Sequence, residues 1–439
     1  MTPSDTTEPG DAPGLAGLGD TNMDLVAPFA GWVVRPEWAD KVVSRAYDNL
    51  TPEQRRSLVA DNPYSYMNVT RGPEDNTGSD GPLVSNHETL AAHGRSALAR
   101  LLEVDVFSAT GRAALYLYRL NHAQGEQTGV VCTVSIAGFS EGRIRIHENV
   151  RSERAALLQA HLLGVGATSS PVAMALQTPP DLLELLTHIT SAQQAELEFG
   201  SEEVRHQVWT VPEHYTEPIT KLLSRHTLYV TDGHHRSAAA VGALQAEPNN
   251  PSLGRLLAIL FCDSQLHVQA FHRLAIDQHN RSAQDCLTAL AAHVHIEPAS
   301  SAHEAQPTQP GTTAMYLNGC WYKLHLPPSP KDANAVSKLD VDLLRRHVLG
   351  PVLGIDELSG PAAVEYLPAE AGYEEMTSRC DTENRIGFVL WPMSVAELMS
   401  VADEGGLMPP KSSFFSPKPR SGVFLRPLGR GATAHLPSA

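Results

Sequence analysis

The sequence predicts a mixed α/β fold of the α+β kind, because strand-like and helix-like segments occur together without a regular alternation. Two apolar runs, 114–119 (ALYLYR) and 129–136 (GVVCTVSI), flank a turn-forming segment, which favours an antiparallel pair of strands. A third run, 228–231 (LYVT), leads through an Asp-Gly turn into a small-residue helix over 238–244. The run 255–262 (RLLAILFC) is apolar after its first residue, which is typical of a buried strand.

The remaining elements are predicted from shorter patterns. A helix over 52–61 follows Thr51, a residue type that caps helix N-termini well, and leucines at helical spacing predict another helix over 87–103. Residues 143–147 (RIRIH) alternate charged residues with isoleucine, as a half-buried strand does. The residues that follow, 152–163, favour a helix.

Composition along the chain predicts five parts. The N-terminal residues are rich in Pro, Gly, Thr and Asp, and a later polar stretch contains several prolines, so neither can bury much apolar surface. A further loop is expected over 71–81. The five parts are a disordered tail (1–23), a main α/β domain (24–297), a linker or long loop (298–313), a C-terminal α/β part (314–427) and a second disordered tail (428–439).

Charge and cysteine content narrow the function classes. With 33 Lys and Arg against 49 Asp and Glu, the 439-residue chain carries a net charge of −16, which argues against a general nucleic-acid binder. Five cysteines without a CxxC pair exclude a zinc ribbon and favour a reducing, cytoplasmic environment. Because no apolar run reaches about 18 residues and the N-terminus lacks a signal pattern, we expect neither a membrane span nor secretion.

The segment Asp232–Arg236, which we call the DGHHR turn, carries the most specific chemical signal. Gly233 lets a ligand approach the backbone, and the following helix presents free N–H groups and a partial positive charge to an anion. Arg236 could hold two anionic oxygens in a fork, and Asp232 could hold a metal ion or orient a histidine. A plain Asp-Gly turn with surface histidines is the alternative, but five consecutive functional residues at a strand-to-helix junction favour a site.

A second candidate ends the run 143–147, where His147 and Glu148 precede a helix. The Glu148 carboxylate could act as a general base that takes a proton from a hydroxyl. It could equally cap the following helix by complementing the helix dipole. Spacing alone leaves both interpretations open.

Two further segments contribute cations. His272 and Arg273 in FHRL could add anion contacts, although a lone His-Arg pair is more often structural. The segment 408–422 (MPPKSSFFSPKPRSG) places Lys411, Lys418 and a further arginine among prolines and two phenylalanines. It could close over an anionic site or pack as a terminal arm.

Several nucleotide and metal motifs do not occur in the sequence. There is no P-loop GxxxxGK(S/T), no GxGxxG after a strand and no HExxH. Chance clusters are expected among 20 histidines, so isolated ones such as His293 and His295 carry no prediction.

Together these residues resemble the bacterial domain-of-unknown-function 1015 family over nearly the whole folded length. The matching pieces follow the family's order: Pro28-Phe29, AYD at 46–48, NPYSYMNV at 62–69, the YLYR strand, the HE pair at 147–148, TDGHHR at 231–236, FHRL at 271–274, SKLDVDLL at 337–344 and MPPKSSFFSPKPRSG at 408–422. The last of these and the DGHHR turn are the specific ones.

The DGHHR turn is also similar to that of free serine kinases built on the ParB/sulfiredoxin fold. This resemblance implies a ParB/sulfiredoxin-like nucleotide-binding core with additional α/β elements. The implied phosphate-binding turn consists of Asp232, Gly233, His234, His235 and Arg236. Those kinases use an upstream glutamate as base, and Glu148 is the candidate here. Sulfiredoxin chemistry needs a cysteine where this chain has His234, so that reaction lacks its nucleophile.

We therefore expect a small-molecule kinase that transfers a phosphoryl group from ATP or ADP to a free amino-acid hydroxyl, most simply that of L-serine, with Mg²⁺ bridging the phosphates. Its partners would be the nucleotide and the amino acid, without nucleic acid or membrane, and a homodimer is compatible with the sequence. The alternative is a non-catalytic, ParB-like nucleotide-binding regulatory protein. The roles are assigned to Glu148, His147 and Asp232 in catalysis, Asp232 as metal ligand, and His272, Arg273 and Lys411 as additional phosphate contacts.

Overall fold

A computed structural model of the chain describes residues 24–45, 50–60, 62–70, 77–78, 81–82, 87–356, 363–430 and 433. The predicted tail over 1–23 and the AYD segment over 46–48 lie outside these residues, as does most of the loop expected over 71–81. Among the described residues, every helix is too short or too polar to span a bilayer.

The described residues form strands and helices in a mixed α/β fold, as predicted. The strands are β1 (Val26–Ala27), β2 (Trp32–Val34), β3 (Thr77–Gly78), β4 (Gly81–Pro82), β5 (Phe107–Ala109), β6 (Tyr116–His122), β7 (Gly125–Ser135), β8 (Ile144–Arg145), β9 (Ala167–Thr168), β10 (Val172–Leu176), β11 (Leu197–Gly200), β12 (Val204–Thr210), β13 (Leu228–Asp232), β14 (Arg255–Cys262), β15 (Val268–Gln269), β16 (Phe271–Ala275), β17 (His295–Ala299), β18 (Thr312–Leu317), β19 (Cys320–His325), β20 (Val364–Pro368), β21 (Ile386–Leu390), β22 (Phe414–Phe415) and β23 (Phe424–Pro427). The α-helices are α1 (Ala39–Val42), α2 (Pro52–Ala60), α3 (His87–Glu103), α4 (Ala137–Ser140), α5 (Ser152–Val165), α6 (Pro180–Ala192), α7 (Glu213–Leu223), α8 (His234–Ala246), α9 (Ala283–Ala291), α10 (Ala302–Ala305), α11 (Asp340–Leu344), α12 (Gly372–Glu383) and α13 (Val395–Asp403).

The larger sheet has nine strands, in the order β11-β12-β6-β7-β14-β10-β13-β8, with β1 paired to β7. The predicted hairpin is confirmed, because β6 pairs with β7 in antiparallel register. Most neighbours are antiparallel, but β10 runs parallel to β14, and β13 runs parallel to β8. Carboxyl ends of parallel strands meet at one edge of a sheet, so the residues that follow β8 lie beside those that follow β13.

Both faces of this sheet are buried. Successive residues of one strand point to opposite faces, so Val131 of β7 and Ile259 of β14 enter one apolar core while Cys132 and Leu260 enter another. The strand β14 therefore consists of apolar residues after its first position, which explains why its bounds were predictable from composition alone.

A second sheet has six strands, in the order β17-β19-β18-β21-β16-β20. It combines β16, from the predicted main domain, with strands from the predicted C-terminal part, so a boundary at 297 would divide this sheet. The segment 298–313, expected to be a linker or long loop, instead supplies the end of β17, the helix α10 and the start of β18. The first and last residues of this segment, 298–299 and 312–313, pair with β19 in antiparallel register despite the polar composition of the segment.

The C-terminal residues return to the first part of the chain. The strand β22 pairs with β15, and β23 lies between β2 and β9 in a four-stranded sheet. Leu428, the first residue of the tail expected over 428–439, is instead buried and donates its N–H to the carbonyl of Gly166 at 2.9 Å. Thr433 is also fully buried and bonds the same carbonyl through its hydroxyl.

Candidate functional site at the β8 and β13 ends

The DGHHR turn connects β13 to α8 as the sequence predicts. Gly233 has φ = 101°, a left-handed conformation that glycine adopts without strain, and it directs the chain from the strand into the helix. No side chain caps the first turn of α8 within the described residues. The backbone N–H groups of that turn and the positive end of the helix dipole therefore remain at the edge where β8 and β13 end.

The Arg236 guanidinium is engaged with the protein itself. Its Nη2 pairs with Asp232 Oδ2, and its Nη1 donates to the carbonyls of Ser170 and Pro171. A Cβ placed on Gly233 would lie 2.9 Å from the guanidinium carbon, so this group packs directly over the glycine. Arg236 thus fixes the turn against the 170–171 backbone, and its role as a phosphate fork stays a prediction.

Asp232 joins two cations. Its Oδ2 pairs with Arg236 and its Oδ1 pairs with Lys418 from the segment 408–422. Burial by itself would raise the pKa of Asp232, but Lys418 and Arg236 outweigh burial and hold the pKa well below its usual range. Because both carboxylate oxygens face cations, the geometry departs from the predicted metal ligand and makes Asp232 the anchor of Lys418.

Glu148 lies beside the DGHHR turn because of the strand register. Tyr229 of β13 is opposite Arg145 of β8, and both chains then advance three residues to reach Asp232 and Glu148. The Nδ1 atom of His234 lies 3.3 Å from Glu148 Oε2. A carboxylate only accepts hydrogen bonds, so the imidazole is the donor and its Nδ1 carries the proton.

The Glu148 side chain keeps 29% of its surface exposed and remains ionised. Burial raises its pKa, but the hydrogen bond from His234 and the charges of His234, His147 and Lys411 lower the pKa to about 2. The first turn of α5 receives no side-chain cap, and the N–H of Arg151 at its start is bound by Nε2 of His235 at 3.2 Å. Glu148 therefore makes no hydrogen bond that caps α5, and the alternative interpretation, that its charge complements the dipole of this helix, stays a prediction.

His147 lies behind this pair. Its side chain is fully buried, its ring centroid lies 4.5 Å from that of His234, and the two rings meet edge to face. Neither ring nitrogen of His147 has a hydrogen-bond partner among the described residues, and the same holds for Nε2 of His234. Burial first, and the charge of His234 second, lower the pKa of His147 to about 3, so this imidazole is neutral.

The FHRL residues lie within β16 and face opposite sides of their sheet. His272 is buried with its ring 6.4 Å from that of Tyr373, and burial lowers its pKa to about 4. Arg273 is fully buried and donates from Nη1 to the carbonyl of Phe271 at 2.7 Å. It also donates to the carbonyls of Lys411 at 3.1 Å and Pro410 at 3.2 Å. Arg273, which was predicted to contact an anion, supports the 410–411 backbone in this structure.

The segment 408–422 passes beside the site. Met408 forms a parallel β-bridge with Glu148 and donates its N–H to the carbonyl of His147 at 2.9 Å. Lys411 follows, with φ = 55° and its Nζ 5.4 Å from the centre of the Phe271 ring. Of the two lysines of this segment, Lys418 pairs with Asp232 in the turn, and the charge of Lys411 acts on Glu148.

One group of site neighbours was not predicted. Arg420 donates from Nε to Nε2 of buried His206 at 3.3 Å, and His206 Nδ1 lies 2.9 Å from the hydroxyl of Tyr118. Burial, followed by the charge of Arg420, lowers the pKa of His206 to about 3. The alternation of residue types around His206 in β12 can be seen in the sequence. The contact between His206 and Arg420 cannot, because it joins two distant parts of the chain.

Comparison with known families gives one match, which covers most of the chain but ends before the segment 408–422. The family described as "Protein of unknown function (DUF1015)" matches residues 26–342. This confirms the resemblance that the motifs predicted. No curated protein matches the chain in sequence.

Three solved structures are similar to the chain. A free serine kinase in complex with AMP is 11% identical, with 65% of this chain and 86% of the kinase covered, at a TM-score of 0.35. A conserved hypothetical protein from Pyrococcus furiosus is 12% identical, with coverages of 65% and 90% and a TM-score of 0.32. SbnI with a C-terminal truncation, from Staphylococcus aureus, is 13% identical, with coverages of 66% and 85% and a TM-score of 0.35. At TM-scores this low, the similarity establishes neither a shared fold nor a shared activity.

Proposed function

The chain belongs to the DUF1015 family, and from the geometry of its site we propose that it transfers a phosphoryl group from ATP or ADP to the hydroxyl of a free amino acid, with L-serine as the first acceptor to test. The observation that carries this proposal is the position of Glu148. An ionised, partly exposed carboxylate stands beside the uncapped N-terminus of α8, and the Lys418 ammonium pairs with Asp232 at the start of the same turn. The similarity of the DGHHR turn to that of free serine kinases supports the same reaction.

The donor phosphates would bind at the first turn of α8. Its free N–H groups and the positive end of the helix dipole favour a polyphosphate, and Gly233 leaves room for close approach. Lys411 and Lys418 would add mobile point charges, while Arg236 stays with Asp232 and the 170–171 carbonyls. A local field of this kind allows a chain with a net charge of −16 to bind an anion.

Glu148 would receive the proton of the acceptor hydroxyl. With a pKa of about 2 it is a carboxylate at any physiological pH and a weak base in the ground state. Phosphoryl transfer passes through a loose transition state, so the proton moves late, after the bond to the leaving phosphate has largely broken. His234 would orient Glu148, and neutral His147 would pack behind His234 without taking part in the proton transfer.

In this proposal Mg²⁺ is bound mainly by the phosphates of the nucleotide, as it usually is in proteins. Asp232, the residue expected to hold the ion, directs both carboxylate oxygens at cations. The residues present therefore do not fit a protein-bound Mg²⁺ at Asp232, and no step of the proposed reaction depends on one there.

Phosphorus NMR of the purified protein with Mg-ATP or Mg-ADP and L-serine tests the proposal. We expect O-phosphoserine from at least one donor, and we expect Glu148→Gln to lower turnover by roughly 10²–10⁴-fold. The same variant should retain nucleotide binding, measured as a thermal shift with ADP. Glu153→Gln, at an exposed position in the first turn of α5, is the matched control and should keep full turnover.

Two outcomes contradict the proposal. A folded protein that forms no phosphoserine from either donor is not a serine kinase. If that protein nevertheless binds nucleotide, and Glu148→Gln leaves the binding unchanged, the non-catalytic regulatory alternative replaces the kinase.

A further inference from the structure

The edge of the six-stranded sheet carries three side chains whose metal-binding atoms converge. His295 of β17 lies directly opposite His325 of β19 in the antiparallel register, and Glu297 lies two residues along on the same face. The ligand atoms of these three residues all lie within 4.8 Å of one another. The group is distant in sequence from the DGHHR turn and has no part in the proposed kinase reaction.

We propose that His295, Glu297 and His325 bind a divalent transition metal ion, Zn²⁺ above others. The Oε1 atom of Glu297 lies 3.3 Å from Nε2 of His295 and 3.3 Å from Nε2 of His325. Ligands at about 2.0–2.1 Å around a tetrahedral ion are separated by roughly 3.3 Å, so these distances match a shared ion. Two imidazoles and one carboxylate are also a donor set that zinc accepts, with a fourth position left open.

The His325 nitrogen supports this site independently. Its Nε2 atom has essentially no solvent-exposed surface and makes no well-aligned hydrogen bond among the described residues, although it lies close to Glu297. A metal ion held between the three ligand atoms would give this nitrogen a partner. The two rings are 5.3 Å apart and tilted by 39°, so neither blocks the other.

One neighbouring cation limits the affinity. Lys323 lies opposite Glu297 in the register, on the same face of the sheet as the three ligands. The site is consequently expected to bind zinc in the micromolar range rather than as tightly as a closed four-ligand site.

A bound ion would join the edge strand β17 to β19. Edge strands leave backbone groups unpaired and are the weakest part of a sheet, so a metal across the last pair would stabilise it. The metal would thus stabilise the six-stranded sheet, whereas the proposed kinase site lies at the nine-stranded sheet.

Zinc titration followed by calorimetry, together with thermal unfolding with and without zinc, tests this site. The full-length protein should bind Zn²⁺ and unfold at a higher temperature when zinc is present. His295→Gln and His325→Gln should each lower the affinity by roughly tenfold or more and abolish the shift. His188→Gln, an exposed histidine on α6, is the control and should leave both unchanged.

Because the ligands are partly exposed, the glutamine variants should fold, and circular dichroism without metal verifies this. Zinc binding that is equal in His295→Gln, His325→Gln and the unsubstituted protein would place the ion elsewhere and overturn the proposal. A full-length protein that binds no zinc at all would overturn it as well. Neither result depends on whether the chain is a kinase.

Discussion

The Oε2 atom of Glu148 lies 3.3 Å from Nδ1 of His234, and this contact joins the residues after β8 to the first turn of α8. The β-bridge between Glu148 and Met408 brings the segment 408–422 to the same place. The carboxylate, the helix N-terminus and the two lysines thus form one unit, although they come from three separate parts of the chain. The predictions below test how this unit is held together and what it binds.

Replacing Lys418 by methionine should weaken nucleotide binding. The variant keeps the aliphatic part of the side chain but removes the ammonium, which pairs with Asp232 and lies 5.5 Å from the centre of the Phe414 ring. If the phosphates bind beside α8, the loss of one point charge should lower the affinity for ADP by roughly tenfold, as measured by calorimetry. Lys221→Met removes an exposed lysine on α7 and is the control. An unchanged ADP affinity in Lys418→Met would show that Lys418 serves only Asp232.

Replacing Gly233 by alanine should destabilise the protein. At φ = 101° a side chain is strained, and the new Cβ would lie 2.9 Å from the Arg236 guanidinium. We expect the free energy of unfolding to fall by about 1–3 kcal/mol in urea titrations. Gly254→Ala is the matched control, because a Cβ there meets no atom within 4 Å, and its effect should stay within about 0.5 kcal/mol. Equal stabilities of the two variants would contradict the geometry of the turn.

Replacing Arg273 by methionine tests whether this side chain holds the segment 408–422 in place. The guanidinium donates to the carbonyls of Pro410 and Lys411, which would be left without these donors. The free energy of unfolding should fall by about 2–4 kcal/mol. Arg205→Met removes an exposed arginine paired with Glu198 and should cost less than about 1 kcal/mol. If Arg273→Met is as stable as Arg205→Met, the internal role of Arg273 is refuted.

Stability should fall as the pH decreases from about 7 to about 5. The pKa values of His147, His206 and His272 are lowered from 6.5 to about 3, 3 and 4 by burial, so each stays neutral in the folded state. Below the ordinary pKa the unfolded chain binds more protons than the folded chain, and each histidine then favours unfolding by up to about 1.4 kcal/mol per pH unit. Asp232 and Glu148, whose pKa values are lowered, add their losses only below about pH 4.

Urea unfolding at several pH values measures this slope. His206→Gln should make the slope shallower, because the variant has one buried histidine fewer to protonate. His188→Gln, at an exposed position, should leave the slope unchanged. A stability that is constant over this range would mean that the three histidines are not held neutral.

Local patterns were sufficient to predict several elements. The helix over His87–Glu103 and the strand Arg255–Cys262 have the bounds that leucine spacing and continuous apolar character predicted. The strand-to-helix turn at Gly233 was predicted because only a few residue types reach a positive φ cheaply. Each of these features depends on residues that are close together in sequence.

The partners of the charged side chains could not be predicted in the same way. Whether Arg236 contacts a ligand or Asp232 depends on where the 170–171 carbonyls lie, and that follows from the pairing of β10 with β13. Glu148 likewise lies beside the DGHHR turn only because β8 and β13, which are far apart in the chain, pair in parallel. Polar composition at 298–313 indicated a linker, because strand pairing with β19 has no local signature.

The return of β23 to a position between β2 and β9 has a consequence for biosynthesis. A ribosome must translate past Pro427 before β2 and β9 have their common neighbour and before Lys418 can reach Asp232. Nascent chains can assemble most of the large sheet earlier, but they lack the segment 408–422, so partly synthesised chains would lack the proposed activity.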